Sequence, residues 1–171
     1  MISIAGIIND SIVDGPGLRL AVFMQGCDKD CEGCHNQEAR RMEGGRLYSA
    51  DEIFAKVKAN PLLTGVTLSG GEPLLQAEEL LPLASDINRA GLSFAVYTGD
   101  TFEQIIARSI PAQFELLSYA DTLIDGPFIL AQKSLTLPFR GSANQRILDL
   151  RASLKAGKAV PTTDARWGYE A

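Results

Sequence analysis

Apolar residues in this chain gather in short runs that alternate with amphipathic stretches. Ile2 to Ile8, Leu18 to Gln25, Val66 to Ser69, Ser93 to Thr98 and Thr122 to Asp125 each have the length of a strand. Several are too continuously apolar to leave one face wet, which predicts a mainly parallel sheet covered by helices. Between them, Ser49-Ala50-Asp51-Glu52 reads as a capping box opening a helix that Asn60-Pro61 closes. Asp100-Thr101-Phe102-Glu103 predicts another helix start of the same kind. A third helix is expected from Leu75 to Arg89, with Leu80, Leu83, Ala84 and Ile87 spaced to face the sheet and Gly91 stopping it. The alternation predicts an α/β fold in one domain over residues 1–152, with a polar, loosely held tail over 153–171.

Composition agrees with a single core: the 171 residues are 46% hydrophobic. Lys and Arg total 16 against 21 Asp and Glu, a net charge of −5, which argues against non-specific binding of nucleic acid. No apolar run approaches the roughly 18 residues of a membrane span. The apolar start lacks a basic leader and a cleavage site, so a cytoplasmic location is expected. There, clustered thiols more often hold metal or do redox chemistry than form structural disulfides.

All three cysteines lie in Cys27-Asp28-Lys29-Asp30-Cys31-Glu32-Gly33-Cys34, a polar loop directly after a predicted strand. A four-iron cluster is ordinarily held by four thiolates, so three would leave one iron open to a small molecule. Other readings compete. His35 could complete a zinc site of three cysteines and a histidine, although adjacent residues rarely reach one tetrahedral ion together. Cys31-Glu32-Gly33-Cys34-His35 also matches the haem-attachment pattern C-x-x-C-H, which would leave Cys27 unexplained and ordinarily needs export. A thioredoxin-like pair of Cys31 and Cys34 leaves Cys27 over in the same way.

The spacing C-x-x-x-C-x-x-C resembles that of the radical S-adenosylmethionine (radical SAM) enzymes, and Ser69-Gly70-Gly71-Glu72-Pro73 resembles their second motif. Asp14-Gly15-Pro16-Gly17-Leu18-Arg19, Cys34-His35-Asn36-Gln37, Tyr97-Thr98-Gly99 and Leu123-Ile124-Asp125-Gly126-Pro127-Phe128 are similar to stretches of the small activases of glycyl-radical enzymes. Phe139-Arg140-Gly141-Ser142-Ala143-Asn144-Gln145-Arg146-Ile147 resembles the anaerobic ribonucleoside-triphosphate reductase-activating proteins in particular. Gly33 departs from the bulky apolar residue common before the third cysteine, and His35 takes the place of an aromatic residue found after it in the activases.

The resemblance implies a partial, open βα barrel holding one [4Fe-4S] cluster on Cys27, Cys31 and Cys34, with S-adenosylmethionine on the fourth iron. Gly33, Cys34, His35, Gly70, Gly71 and Glu72 would line the S-adenosylmethionine site, with no catalytic acid or base required. The implied reaction is reductive cleavage to a 5′-deoxyadenosyl radical, which takes hydrogen from a glycine of the partner reductase. The implied electron donor is a flavodoxin or ferredoxin. Activation of another glycyl-radical enzyme such as pyruvate formate-lyase, or a non-catalytic iron–sulfur or zinc module, are the alternatives. Asn36 could contact the cofactor or cap a turn, Arg19 and Arg140 could meet a carboxylate, the partner or a nearby surface acid, and Asp125 stands at a strand end in an Asp-Gly-Pro sequence that also suits a turn. If Gly71 offers bare backbone to the cofactor, Gly71→Val is expected to weaken S-adenosylmethionine binding while the cluster still assembles.

Overall fold

The computed structural model describes residues 1–168. Seven strands form one mixed sheet: β1 (Ile2–Ser11), β2 (Arg19–Met24), β3 (Arg46–Tyr48), β4 (Gly65–Gly70), β5 (Ser93–Tyr97), β6 (Thr122–Asp125) and β7 (Arg146–Asp149), in the order β3-β1-β2-β4-β5-β6-β7. β2, β4, β5 and β6 run parallel. The flanking pairings are antiparallel, β3 with β1 and β1 with β2 on one side and β7 with β6 on the other. The helices are α1 (Gln37–Arg40), α2 (Ala50–Ala59), α3 (Ala77–Arg89), α4 (Phe102–Arg108), α5 (Pro111–Tyr119) and α6 (Leu150–Ala156). No helix among the described residues is long and apolar enough to cross a membrane.

Strand alternation sends Leu20, Val22, Met24, Val66, Leu68, Phe94, Val96, Leu123 and Leu148 to the larger core, which the helices cover. Leu80, Leu83 and Ile87 of α3 are fully buried there, each burial contributing about 1.5–3 kcal/mol. Among the described residues none of α1–α6 contributes to the apolar cluster on the opposite face, contrary to the expectation from the apolar runs. That face carries a smaller cluster of Ala95, Ile124 and Ile147 closed by Trp167, with Tyr97 and Phe139 packed against it.

The capping box of α2 is present, with the Ser49 hydroxyl accepting from Glu52 N and the Glu52 carboxylate accepting from Ser49 N. The box of α4 sits one residue later than expected, on Thr101 and Gln104, because Asp100 is instead drawn into ion pairs with Lys29 and Arg108. The expected third helix begins with a 3-10 turn over Pro73–Gln76 before α3.

The loose tail expected from residue 153 differs from what is seen through Gly168. Ser153 is fully buried, and its hydroxyl donates to the Asp149 carbonyl and accepts from Val160 N. Pro161 bridges to Leu148, and Trp167 is 3% exposed, edge-on to Phe139 at 5.3 Å between ring centroids. A polar composition concealed this segment's one large apolar anchor. The last three positions of the expected tail lie outside the described residues.

Candidate active site

The four parallel strands end on the same side of the sheet, and each is followed by residues that enter one cavity of about 640 Å³. After β2 come the cysteines, after β4 Gly71, after β5 Thr98 and Gly99, and after β6 Gly126. Carboxyl ends of parallel strands are where α/β folds place ligands. β7 begins beside Asp125, so the connection over 126–145 stays at this end and supplies a further wall, including Phe128, Phe139, Arg140 and Gln145.

Backbone pairing fixes the root of the cysteine loop. Gly26 N and Cys27 N donate to the carbonyls of Ala39 and Arg40, while Glu72 N donates to the carbonyl of Gly26. The buried Gln25 amide donates to the Glu38, Arg41 and Glu43 carbonyls, which holds the returning chain. Gln76 in turn donates to the carbonyl of Gln25 and of Ser3. Neither glutamine stands out in the sequence, since each works through backbone groups distant along the chain.

Cys27, Cys31 and Cys34 are half-buried free thiols that all line the cavity. The backbone N–H of Lys29 donates to Cys27 Sγ and that of Asn36 to Cys34 Sγ, both at 3.4 Å. Such donors favour the thiolate form and tune whatever metal it binds. Burial pushes the Cys27 thiol up against the opposing Lys29 N–H, and a bound metal would deprotonate it outright. Among the described residues no three His, Cys, Asp or Glu side chains converge on a single metal ion. Three free thiols lining one cavity supply the donor set of a cluster, whose thiolates bind separate irons.

Cys34, His35, Gly70 and Gly71 line the cavity with the other cysteines, whereas Gly33 and Glu72 do not. Gly33 turns toward Leu130, whose Cδ1 would lie 2.9 Å from a Cβ placed there, and its φ of +70° favours glycine. The His35 ring packs on Phe128 at 4.9 Å between centroids. A Cβ on Gly71 would stand 2.2 Å from the Gly26 carbonyl oxygen and 2.9 Å from that of Ala39. The protein's own backbone therefore requires glycine at 71, whatever ligand binds.

Glu72 is 1% exposed and lies behind the cavity wall. Its carboxylate accepts from Leu74 N at 3.1 Å, Thr98 Oγ1 at 3.0 Å and Gly99 N at 2.9 Å, joining the end of β4 to the end of β5. Burial raises its pKa to about 7 despite these donors. Beside it, the Lys29 stem crosses Gly99 and its ammonium pairs with Asp28 at 2.7 Å and Asp100 at 3.1 Å. Burial opposes the Lys29 charge, but these pairs prevail and raise its pKa.

Of the other polar candidates, Asn36 and Arg140 line the cavity, while Arg19 and Asp125 lie buried outside its wall. Arg19 donates to Thr67 Oγ1, to Ser93 Oγ and to the carbonyls of Pro16, Val66 and Ser93. Desolvation lowers its pKa to about 10. Asp125 accepts from Phe102 N at 2.7 Å and pairs with Arg146, so it caps α4 and anchors β7.

Residues 13–148 match the family described as a 4Fe-4S single cluster domain. An anaerobic ribonucleoside-triphosphate reductase-activating protein of Haemophilus influenzae is 36% identical over 146 residues, 80% of this chain and 90% of that one. The chain belongs to this activating-protein family. Within it, the activating protein of Enterobacteria phage T4 is 34% identical over 79% of this chain and 86% of its own length. A pyruvate formate-lyase-activating enzyme of Clostridium pasteurianum is 40% identical over 92 residues, 51% of this chain and 39% of that enzyme. Family membership selects the iron–sulfur reading of the cysteine loop over zinc, haem and a redox pair. It makes the chain a radical SAM activase, an oxidoreductase that uses an iron–sulfur cluster and S-adenosylmethionine to generate a glycyl radical.

Proposed function

We propose that this activase generates the glycyl radical on the anaerobic ribonucleoside-triphosphate reductase, drawing its electron from a flavodoxin or ferredoxin. The observation that carries the reading is the convergence of three free cysteines and the Gly70-Gly71 strand end on one cavity, in a chain of this family. When bound, the cluster and S-adenosylmethionine supply a 5′-deoxyadenosyl radical that removes a glycine hydrogen. Cys27, Cys31 and Cys34 hold the cluster, with the Lys29 and Asn36 N–H groups steadying two of the sulfurs. Gly70, Gly71 and His35 border the S-adenosylmethionine site. Gly33 and Glu72 serve it from behind, by shaping the cysteine turn and by tying β4 to β5.

The seven-stranded sheet, with this cavity at the carboxyl ends of its parallel strands, is read as the open βα barrel of radical SAM enzymes. The 126–145 connection walls one side of the cavity, and shielding of this kind suits a chemistry that must exclude water. The apolar rim of Ile12, Val13 and Leu135, exposed at 71%, 71% and 89%, lies where a partner chain would enter.

Anaerobic reconstitution with iron and sulfide, reduction, and mixing with the reductase is the test. Production of 5′-deoxyadenosine together with the reductase's glycyl-radical signal is expected. The local likeness to the Clostridium enzyme favours one second reading, a pyruvate formate-lyase-type target. Offering both partners separates the two, because deoxyadenosine would form while only the true target acquires the signal. A colourless protein that forms no deoxyadenosine would remove the mechanism.

A further inference from the structure

We infer that Arg140 is the receptor for the carboxylate of S-adenosylmethionine, an inference that rests on the cofactor assignment above. Three cations line the cavity, Lys29, Arg40 and Arg140. Lys29 is neutralised by Asp28 and Asp100, and Arg40 by Asp30. Arg140 forms no ion pair among the described residues. Among the described residues its side chain makes one hydrogen bond, a long one, Nη1 to the Gln145 carbonyl at 3.3 Å. Its Nε is shielded from solvent without any partner. Arg40 Nε shares that condition, but its guanidinium already has a carboxylate. Arg19, the other arginine that sequence left open, spends its donors inside the sheet and does not line the cavity.

A buried donor without an acceptor is destabilising, and a charged fork retains that cost until an anion meets it. The neighbourhood holds Arg140 ready for one. The Gln145 side-chain oxygen accepts from Gly141 N at 2.9 Å and Ser142 N at 3.2 Å, which fixes the turn after Arg140. The Tyr97 hydroxyl donates to the Phe139 carbonyl at 2.8 Å, which fixes the residue before it. Gly141 packs on Phe128, whose ring meets His35 next to Cys34, so the arginine's loop abuts the cysteine loop. The only carboxylate that the proposed cofactor brings into this cavity is that of its methionyl group.

The test measures binding of S-adenosylmethionine and of its decarboxylated analogue to the cluster-loaded protein, for wild type, Arg140→Met and Arg140→Lys. Arg140→Met is expected to weaken S-adenosylmethionine about 10- to 100-fold while leaving the analogue nearly unchanged, with partial recovery in Arg140→Lys. Equal losses for both ligands would assign Arg140 to loop support and overturn the inference. So would unchanged binding of S-adenosylmethionine, which would leave the arginine free for a partner's acid. If wild type holds a cluster but binds neither ligand, the cofactor assignment itself fails, an outcome distinct from a variant that binds as wild type does.

Discussion

Glu72 imposes a pH dependence on the stability of this protein that can be calculated before it is measured. Its carboxyl has a pKa of 4.5 in the unfolded chain and about 7 in the fold, because burial outweighs the three donors it accepts. Between these values the native state holds more of the proton than the unfolded state does. The contribution is therefore fully present below 4.5 and is lost as pH rises through 7. At about 1.4 kcal/mol per pKa unit the loss is about 3 kcal/mol. Glu72→Gln removes the titration and leaves one acceptor oxygen for donors that now engage two. Urea unfolding of the cluster-free, reduced protein at pH 4.5, 6 and 8 gives the stability difference between variant and wild type. Wild type is expected to lose its advantage over Glu72→Gln by about 3 kcal/mol across that range. A difference independent of pH would refute the reasoning, since it would mean that the donors hold Glu72 ionised throughout.

Alanine at any one of Cys27, Cys31 or Cys34 is expected to abolish a stable four-iron cluster, and retention of full iron and sulfide per chain in one variant would remove that cysteine from the ligand set. Gly71→Val is expected to prevent cluster assembly as well as S-adenosylmethionine binding, because its Cβ would collide with the Gly26 carbonyl at the root of the cysteine loop. Normal iron content with selective loss of S-adenosylmethionine binding would restore the simpler role first expected for this glycine. Trp167→Ala is expected to destabilise the fold by about 3–5 kcal/mol, read by urea unfolding. Trp167 is the sole tryptophan, so poor quenching of wild-type fluorescence by acrylamide checks its burial directly.

What the sequence disclosed was whatever depends on neighbours along the chain. Leu80, Leu83, Ala84 and Ile87 repeat at helical spacing, and all four are buried in α3. Ser49 and Glu52 carry their capping box within four residues. The cysteine spacing and the glycines of the second motif are local too, and they led to the family. β7 was invisible because four residues after a long connection carry little periodicity, and its partner β6 lies on the far side of that connection. α5 escaped because its apolar residues do not segregate to one face, and β3 because two of its three residues are exposed.

The site residues divide along the same line, and the division explains why sequence alone presents the glycine and glutamate of the second motif as cofactor contacts. A motif names residue types, and a glycine needed by a ligand looks the same as one needed by a neighbouring strand. Gly71 lines the cavity, and its missing Cβ makes room for the Gly26 and Ala39 carbonyls. Glu72 stands one residue further on, at the N-cap of the 3-10 turn, where its carboxylate accepts from Leu74 N, Thr98 Oγ1 and Gly99 N. The second motif is therefore a joint between two strand ends before it is a ligand surface. Loss of either residue should reach the cofactor first through the geometry of the cysteine loop, which rests on that joint by the bond from Glu72 N to the Gly26 carbonyl.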